Sequence, residues 1–142
     1  MEQKVREAIY RAVASEPFAQ ALKMELKELD DGFSAVEMTY EPDLMNNIYN
    51  RAHGGAIFAL IDEAFQAAVN GHGTVAVALN MNLTFHAAPK MGERLTAATK
   101  ELHAGRRTAT YFIEVTDPRG TLIASCQALA YRKDTPLEFP VV

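Results

Sequence analysis

The sequence contains no tryptophan and a single cysteine, Cys126, so no disulfide can form within the chain. A chain of 142 residues needs none, because a domain of this size buries about two thirds of its unfolded surface in one core. A lone cysteine without a CxxC pair is typical of a reducing compartment. The four histidines do not have the spacing of a zinc cluster. We therefore expect a cytoplasmic protein that holds no metal and no other cofactor.

Long apolar runs and an excess of positive charge are also missing. Residues 1–18 are interrupted by charges and lack the apolar core of a signal peptide. The longest uncharged stretch, 64–89, contains Asn, Gly and His residues that a membrane span tolerates poorly. The net charge of −4 disfavours nucleic acid, whose binding is dominated by basic contacts to phosphate. The sequence predicts no membrane partner and no nucleic-acid partner.

The chain has no linker, repeat or low-complexity segment, so we expect one domain over residues 1–142. At its start, apolar residues at helical spacing predict an amphipathic helix that Pro17 ends or restarts, which makes residues 1–20 an N-terminal helical segment. At its end, two prolines predict that residues 133–142 form an extended, peripheral tail.

A long helix and about six strands are predicted between these ends. Alternating apolar residues predict two strands around a tight turn at Asp31 and Gly32, and a polar, Asn-rich loop follows over residues 41–52. Residues 53–71 predict a helix that is apolar on nearly all sides and must be buried on nearly all sides. Four strands joined by short turns then occupy residues 75–131 and predict an antiparallel meander.

The first of these four strands has the strictest pattern, since apolar residues occupy every second position from Val75 to Phe85. This alternation predicts one continuous face in the core. Together the elements predict an α+β domain in which a curved antiparallel sheet wraps around the long helix. That arrangement buries the apolar surfaces of both.

The long helix opens on His53, Gly54 and Gly55, and glycines are poor helix formers. The first N–H groups of a helix have no intrahelical partner and carry the positive end of its dipole, and a bare glycine lets a ligand approach them. This start is therefore either a site that polarises a carbonyl group or a point where the helix packs tightly against a strand.

Asp62 and Glu63 are the only charged residues within this helix. A carboxylate on a buried helix is either fixed by hydrogen bonds or an arginine, or is a candidate general base. The two residues point about 100° apart, so one of them faces solvent or a partner subunit. Gly54 and Asp62 are separated by about 12 Å along the helix, too far to touch one carbonyl together. If both act, they come from two chains whose helices pack antiparallel about a two-fold axis.

Asn47 lies in the loop before the helix, where its side chain either positions a water or substrate or caps a turn. The run from Asn47 to Phe65, with its Asn, His-Gly-Gly and Asp, resembles the signature of hotdog-fold acyl-CoA thioesterases of the phenylacetate-degradation (PaaI-like) branch. Further matches to this branch occur at residues 88–95, 105–107 and 120–132.

This resemblance implies a hotdog fold with an added N-terminal helix, and hydrolysis of an acyl-CoA thioester to a free acid and CoA. It implies that Asp62 is the catalytic base or nucleophile and that the Gly54 N–H polarises the thioester carbonyl. It also implies that Asn47 positions water or substrate and that His53 supports the site. The implied assembly is a homodimer with shared active sites, paired further into a homotetramer.

Four more residues are candidates for substrate binding. Gly55 belongs to the same helix start, and Asn50 replaces the glycine that is usual in the family pattern. Asparagine tolerates a left-handed backbone, so we expect the loop shape to be kept. Arg106 and Arg107 lie at a predicted turn, where guanidinium groups can meet the phosphates of CoA.

Two other functions stay open on the sequence alone. The first is a non-catalytic protein of the same fold that binds an acyl or CoA ligand, which the combination of Asn47, His53, Gly54 and Asp62 disfavours. The second is a hotdog dehydratase, whose chemistry is usually built on a His with an acidic partner in differently spaced motifs. The sequence also leaves open whether Asp62 activates water or attacks the thioester directly.

Overall fold

A computed structural model describes residues 1–139 of the chain, and this part contains four helices and six strands. The helices are α1 (Gln3–Ser15), α2 (Pro17–Ala21), α3 (Pro42–Met45) and α4 (Gly54–Asn70). The strands are β1 (Glu25–Asp30), β2 (Phe33–Thr39), β3 (Thr74–Phe85), β4 (Arg94–Ala104), β5 (Thr108–Thr116) and β6 (Leu122–Pro136). Among these helices none is long and apolar enough to cross a membrane.

The six strands form one antiparallel sheet in the order β1-β2-β4-β5-β6-β3, and this sheet curves around α4. Phe65 of α4 meets Tyr111 of β5 edge to face, with 5.4 Å between the ring centroids. The Ser34 hydroxyl of β2 donates to the Ala64 carbonyl of α4 at 2.6 Å, so the buried polar group is satisfied. The predicted α+β architecture, a curved sheet wrapped around one long helix, is confirmed.

The meander predicted for the last four strands is only partly correct. Strands β4, β5 and β6 are consecutive neighbours, but β3 pairs with β6 and not with β4. Residues 86–93 therefore carry the chain across the sheet, so that β4 enters between β2 and β5. Alternation along a strand identifies its two faces, whereas the choice of neighbour depends on contacts distant in sequence.

The apolar row of β3 is less buried than its alternation predicts. β3 lies at the edge of the sheet, and a bulge between Ala78 and Asn80 shifts its register against β6. Val77, Leu79 and Phe85 keep 40%, 57% and 53% of their surface exposed. An edge strand with exposed apolar side chains is a surface on which another chain can pair.

The N-terminal helices cover a second side of α4, as the helical segment over residues 1–20 predicts. Pro17 occupies the first turn of α2, where its missing N–H removes no helical hydrogen bond. Ile9 and Val13 of α1 are buried in the same core as α4. The amino group of Met1 also contacts Asp31 of the β1–β2 turn at 2.6 Å.

Two of the predicted boundaries change in the structure. The loop expected over residues 41–52 includes the short helix α3. Residues 133–136, expected in a peripheral tail, continue β6, and Pro136 stands opposite Thr74 of β3. Residues 140–142 of the predicted tail lie outside the described residues.

Candidate active site

The loop between α3 and α4 is closed at its base by a bridge between Asn46 and Ala52. Asn47 holds the interior of this loop: its Oδ1 accepts the backbone N–H of Tyr49 at 2.9 Å and that of Arg51 at 3.2 Å. The side-chain carbonyl oxygen of Asn47 thus caps a turn, which is one of its two expected roles. Within residues 1–139 its amide NH₂ group donates to no acceptor and is available to a ligand.

Asn50 lies at the tip of the same loop with a φ of 56°, the left-handed conformation that normally favours glycine. Its N–H donates to the Asn47 carbonyl at 3.0 Å and closes the turn. The left-handed backbone expected at this asparagine is therefore present, as the expectation of a kept loop shape requires. The Asn50 side chain itself is exposed.

His53 is the N-cap residue of α4. Its Nδ1 accepts the N–H of Gly55 at 2.9 Å, while its carbonyl accepts the N–H groups of Ala56 at 3.0 Å and Ile57 at 3.4 Å. An accepting Nδ1 places the proton of the neutral ring on Nε2. Of the first four N–H groups of α4, only that of Gly54 donates to no acceptor among residues 1–139. This donor lies at the positive end of the helix dipole.

Gly54 is also packed tightly against the end of β3. A Cβ atom added at Gly54 would lie 3.0 Å from Cζ of Phe85. The packing interpretation of this glycine is therefore confirmed, and the packing leaves its N–H free. The sequence did not predict that Phe85 packs against Gly54. The one feature that could have indicated it is the position of Phe85 at the end of the alternating apolar row.

Asp62 is the exposed member of the two adjacent carboxylates. Within the described residues its oxygens accept no hydrogen bond, and no arginine holds it. Desolvation by the surrounding protein, with a smaller contribution from the charge of Glu16, raises the pKa of Asp62 above its usual range. Burial raises the pKa of the Cys126 thiol on β6 to about 11, and the charge of Asp62 adds to that shift. Asp62 thus has the unoccupied lone pairs and the basicity of a general base.

Glu63 faces the N-terminal helices and is only 3% exposed. The Nε2 of Gln66 donates to Oε1 of Glu63 at 2.9 Å and to Oε2 of Glu16 at 2.5 Å, so one amide links two carboxylates. Burial, with the nearby Glu16 charge, raises the pKa of Glu63 to about 7. Glu63 therefore belongs to the contact between α4 and the N-terminal segment and does not reach the helix start.

The site residues form two groups within one chain. Asn47, His53 and Gly54 lie together at the start of α4, whereas Asp62 lies further along the helix, about 12 Å from Gly54 at the standard rise. One chain therefore does not bring the carboxylate to the free N–H. Within residues 1–139, no His, Cys, Asp and Glu side chains are grouped as metal ligands would be.

Arg106 and Arg107 lie at the other end of the sheet, in the turn between β4 and β5. Glu101, near the end of β4, contacts His72 just beyond the C-terminus of α4 at 2.6 Å. The arginines are therefore separated from the helix start by the length of α4, which is about 25 Å. Arg107 donates to the Tyr131 hydroxyl at 3.1 Å, and Arg106 is exposed.

The fold defines a class of protein. A curved antiparallel sheet of six strands around one long helix is the architecture of the hotdog thioesterases. The comparisons with known proteins agree, because residues 49–124 match the family profile described as the thioesterase superfamily.

Individual relatives narrow the class. The acyl-coenzyme A thioesterase PaaI of Escherichia coli strain K12 is 30% identical over 132 residues, which are 93% of this chain and 94% of the relative. The solved structure of the E. coli PaaI protein superposes with a TM-score of 0.89 at 28% identity, covering 95% of this chain and 97% of that chain. A structure from Thermus thermophilus is 35% identical with a TM-score of 0.78, covering 83% and 98%. The chain belongs to the thioesterase superfamily, as a PaaI-like hotdog thioesterase.

Proposed function

We propose that this enzyme hydrolyses acyl-CoA thioesters to a free acid and CoA at a site formed by two copies of the chain. Gly54 of one copy donates its N–H to the thioester carbonyl oxygen, and Asp62 of the other copy drives the attack on the carbonyl carbon. One observation carries this proposal: within the described residues, the Gly54 N–H is the one donor of the first helical turn without an acceptor.

The surroundings of Gly54 suit carbonyl polarisation. His53 Nδ1 accepts the Gly55 N–H, and this hydrogen bond fixes the helix start. Among the described residues, the Gly54 N–H is left as a free donor that points along the helix dipole. A preorganised donor of this kind contributes about 10² to 10³ in turnover at comparable sites. Asn47 supplies two amide donors from the adjoining loop, and the exposed Asn50 and Gly55 flank the position of the substrate.

Asp62 suits the attack because its lone pairs are unoccupied and its pKa is raised. As a general base it takes a proton from water while the water oxygen bonds to the carbonyl carbon, and the CoA thiolate leaves. As a nucleophile it bonds to the carbonyl carbon and displaces the CoA thiolate, and water then hydrolyses the resulting mixed anhydride. Both routes require the ionised carboxylate and end on the same two products.

The two-copy site is supported by the apolar surface beside Asp62. Phe58 lies one turn earlier on the same side of α4 and is 40% exposed, and the edge strand β3 exposes Val77 and Leu79. Two α4 helices packed antiparallel about a two-fold axis bury this surface and bring each Asp62 to the helix start of the other copy. The family resemblance extends the assembly to a homotetramer, and the single buried Cys126 suits the reducing cytoplasm.

Arg106 and Arg107 fit the phosphate end of CoA in such a dimer. The distance from Asp62 to the end of α4 is about 12 Å at the standard helical rise, and the pantetheine arm of CoA can span it. The arginines at that end therefore belong to the copy that supplies Asp62. The planar guanidinium group of arginine is well suited to bidentate hydrogen bonding with phosphate.

A panel of acetyl-, hexanoyl-, phenylacetyl- and palmitoyl-CoA, assayed for release of free thiol, tests the proposal. We expect at least one to be hydrolysed, with Asp62→Asn strongly impaired and the exposed control Glu28→Gln unchanged. Release of no thiol from any of them would contradict hydrolysis and favour a non-catalytic ligand-binding protein. Addition of water to an enoyl-CoA without thiol release would favour a dehydratase.

A further inference from the structure

An apolar cleft adjoins the start of α4, on the side that faces the N-terminal helices. Its volume is about 220 Å³. The walls come from the end of α2, from α3 and from the first turns of α4, and they consist of Phe18, Leu22, Leu44, Met45, Asn46, His53, Gly55, Ala56 and Ala59.

The chemistry of the cleft selects an uncharged occupant. No charged side chain lines it. Of its two polar side chains, Asn46 accepts the hydroxyl of Tyr40 through Oδ1, and His53 accepts the N–H of Gly55 through Nδ1. Phe18 and Leu44 expose 56% and 57% of their surface at the rim, although both are apolar. A concave apolar surface of this kind gains free energy by covering a hydrocarbon group, and it disfavours a phosphate or a carboxylate.

The cleft begins where the thioester carbonyl is expected. Gly55 and His53 line the cleft and flank Gly54, whose N–H has no acceptor among residues 1–139. We propose that the cleft holds the acyl group of the substrate and that Phe18, Leu22 and Leu44 set the acyl length that the enzyme accepts. This inference takes the position of the carbonyl from the proposed function.

The volume limits the acyl group. An engineered protein cavity of about 150 Å³ lined by apolar side chains binds benzene. A cleft of about 220 Å³ therefore holds a six-membered ring with one or two further carbons, or a straight chain of similar size. A palmitoyl chain exceeds it and would leave most of its carbons in water. We therefore expect acyl groups of about six to eight carbons to be preferred over both acetyl and palmitoyl groups.

Larger cavities among the described residues fit the acyl group less well, including one of about 300 Å³ that Glu2, Lys4 and Asp31 line. One of about 380 Å³ between α1 and α4 is lined by Glu16 and Gln66 and does not include the helix start. Another of about 450 Å³ lies beside the Asn47 loop, but Arg51 and Lys90 line it and make it cationic. The cleft at Gly55 is the apolar one that adjoins the free N–H.

The walls proposed to set acyl length lie outside the residues that match the family profile. Phe18, Leu22 and Leu44 precede residues 49–124, which match the thioesterase superfamily. Ala56 and Ala59, on the α4 wall, lie inside that match. Acyl selectivity is therefore assigned to the N-terminal helices and α3, while the reacting groups are assigned to α4.

Ala56→Leu tests the proposal by filling the cleft from the α4 wall, and Phe18→Ala tests it by opening the rim. We expect Ala56→Leu to lower kcat/KM for hexanoyl- and phenylacetyl-CoA by about tenfold or more while leaving acetyl-CoA within about threefold. Phe18→Ala should raise the rate for palmitoyl-CoA relative to hexanoyl-CoA. Ala12→Leu is the matched control, because it adds the same side chain to the cavity between α1 and α4.

A binding measurement separates failure of this inference from failure of the proposed function. Dissociation constants of acetyl- and hexanoyl-CoA are measured by calorimetry in an Asp62→Asn background, with and without Ala56→Leu. Weaker binding of hexanoyl-CoA alone supports the cleft even if no hydrolysis is found. The opposite result is that both variants, Ala56→Leu and Phe18→Ala, fold and keep the parent's acyl preference in rate and in binding. That result would overturn the cleft assignment even if the protein is an active thioesterase.

Discussion

At the scale of the residue, Asp62 and Glu63 show how one step along a helix separates two environments. Asp62 is exposed and unpaired within the described residues, whereas Glu63 is 3% exposed and shares Gln66 with Glu16. Both have raised pKa values, because desolvation opposes their ionisation. The proposal that Asp62 is the base therefore rests on its free lone pairs and not on a raised pKa, which Glu63 shares.

Replacing Asp62 by Asn should lower kcat by about 10² to 10⁴, because the amide keeps the shape and loses the basicity. The free energy of unfolding should change little, since the side chain makes no hydrogen bond within residues 1–139. In the parent enzyme, kcat/KM should fall at acid pH with an inflection above the usual aspartate range. Activity of Asp62→Asn within a few-fold of the parent would refute the assignment.

Replacing Glu63 by Gln should change the pH dependence of stability. The carboxyl ionises near pH 4.5 when unfolded and near pH 7 in the folded protein. Its bound proton therefore stabilises the fold fully below pH 4.5, and this contribution is lost as the pH rises through 7. Glu63→Gln should raise the free energy of unfolding at pH 8, by up to about 3 kcal/mol, and not at pH 4.

Urea unfolding at both pH values measures this effect, with Glu28→Gln as an exposed carboxyl control. If Glu63→Gln raises the free energy of unfolding equally at pH 4 and pH 8, the gain in stability comes from packing. A loss of stability at pH 8 would show that the ionised carboxylate is the stabilising form in the folded protein.

Much at this scale follows from sequence. Asn50 was expected in a left-handed conformation, and its φ of 56° agrees. The sequence could not decide which of the two carboxylates is buried, because that depends on Glu16 and Gln66 meeting across the α1–α4 contact. The sequence also could not show that the Asn47 side-chain carbonyl accepts hydrogen bonds from its own loop, because those bonds depend on the loop conformation.

At the scale of the element, the start of α4 combines a cap with an unoccupied donor. His53 supplies the cap through Nδ1 to the Gly55 N–H. Removing it with His53→Ala should lower the free energy of unfolding by about 1 kcal/mol, the usual effect of losing an N-cap. Because the cap fixes the direction of the Gly54 N–H, kcat should fall as well.

His53→Asn separates positioning from direct contact with substrate. Asparagine is a good N-cap residue, so this variant should recover the stability and most of kcat if His53 acts through the helix start. Thermal unfolding and thiol-release kinetics on the same preparations check both quantities. Recovered stability with kcat still at the level of His53→Ala would instead indicate that the imidazole contacts the substrate.

The strands show where periodicity stops being informative. The alternation from Val75 to Phe85 identified β3, but it did not reveal that β3 pairs with β6 at the edge of the sheet. The bulge between Ala78 and Asn80 is equally invisible in the sequence, because the residues on both sides keep the alternating pattern. The proposed dimer would cover the apolar residues that this edge strand exposes.

At the scale of the whole molecule, the turn between β4 and β5 should act on substrate affinity. Arg106→Ala should raise KM for acyl-CoA several-fold with little change in kcat, and the difference from the parent should shrink at high salt. Arg107→Ala should have a smaller effect, because Arg107 is already engaged with Tyr131. Lys100→Ala, on an exposed position of β4, is the control. If both variants have the parent's KM at low salt, neither arginine contributes to acyl-CoA binding.

The proposed two-copy assembly rests on the distance between two residues of α4. Gly54 and Asp62 lie about 12 Å apart along α4, so a single chain offers a donor without a base and a base without a donor. Dilution below the dimer dissociation constant should therefore abolish turnover, and activity should return in proportion to the dimer. Activity and dimer fraction measured on one dilution series compare the two directly.

Complementation gives the decisive form of this prediction. Asp62→Asn removes the carboxylate, and Gly54→Pro removes the donating N–H at a first-turn position that proline can occupy. Each parent dimer should be inactive, whereas a heterodimer has one site that combines the intact Gly54 of one chain with the intact Asp62 of the other. After subunit exchange at equal concentrations, half of the dimers are mixed and each has one working site. Activity should therefore approach about one quarter of the parent's. With Gly54→Pro first shown to fold and to dimerise, no recovery after confirmed exchange would refute the shared site, because the two defects would then lie in the same centre.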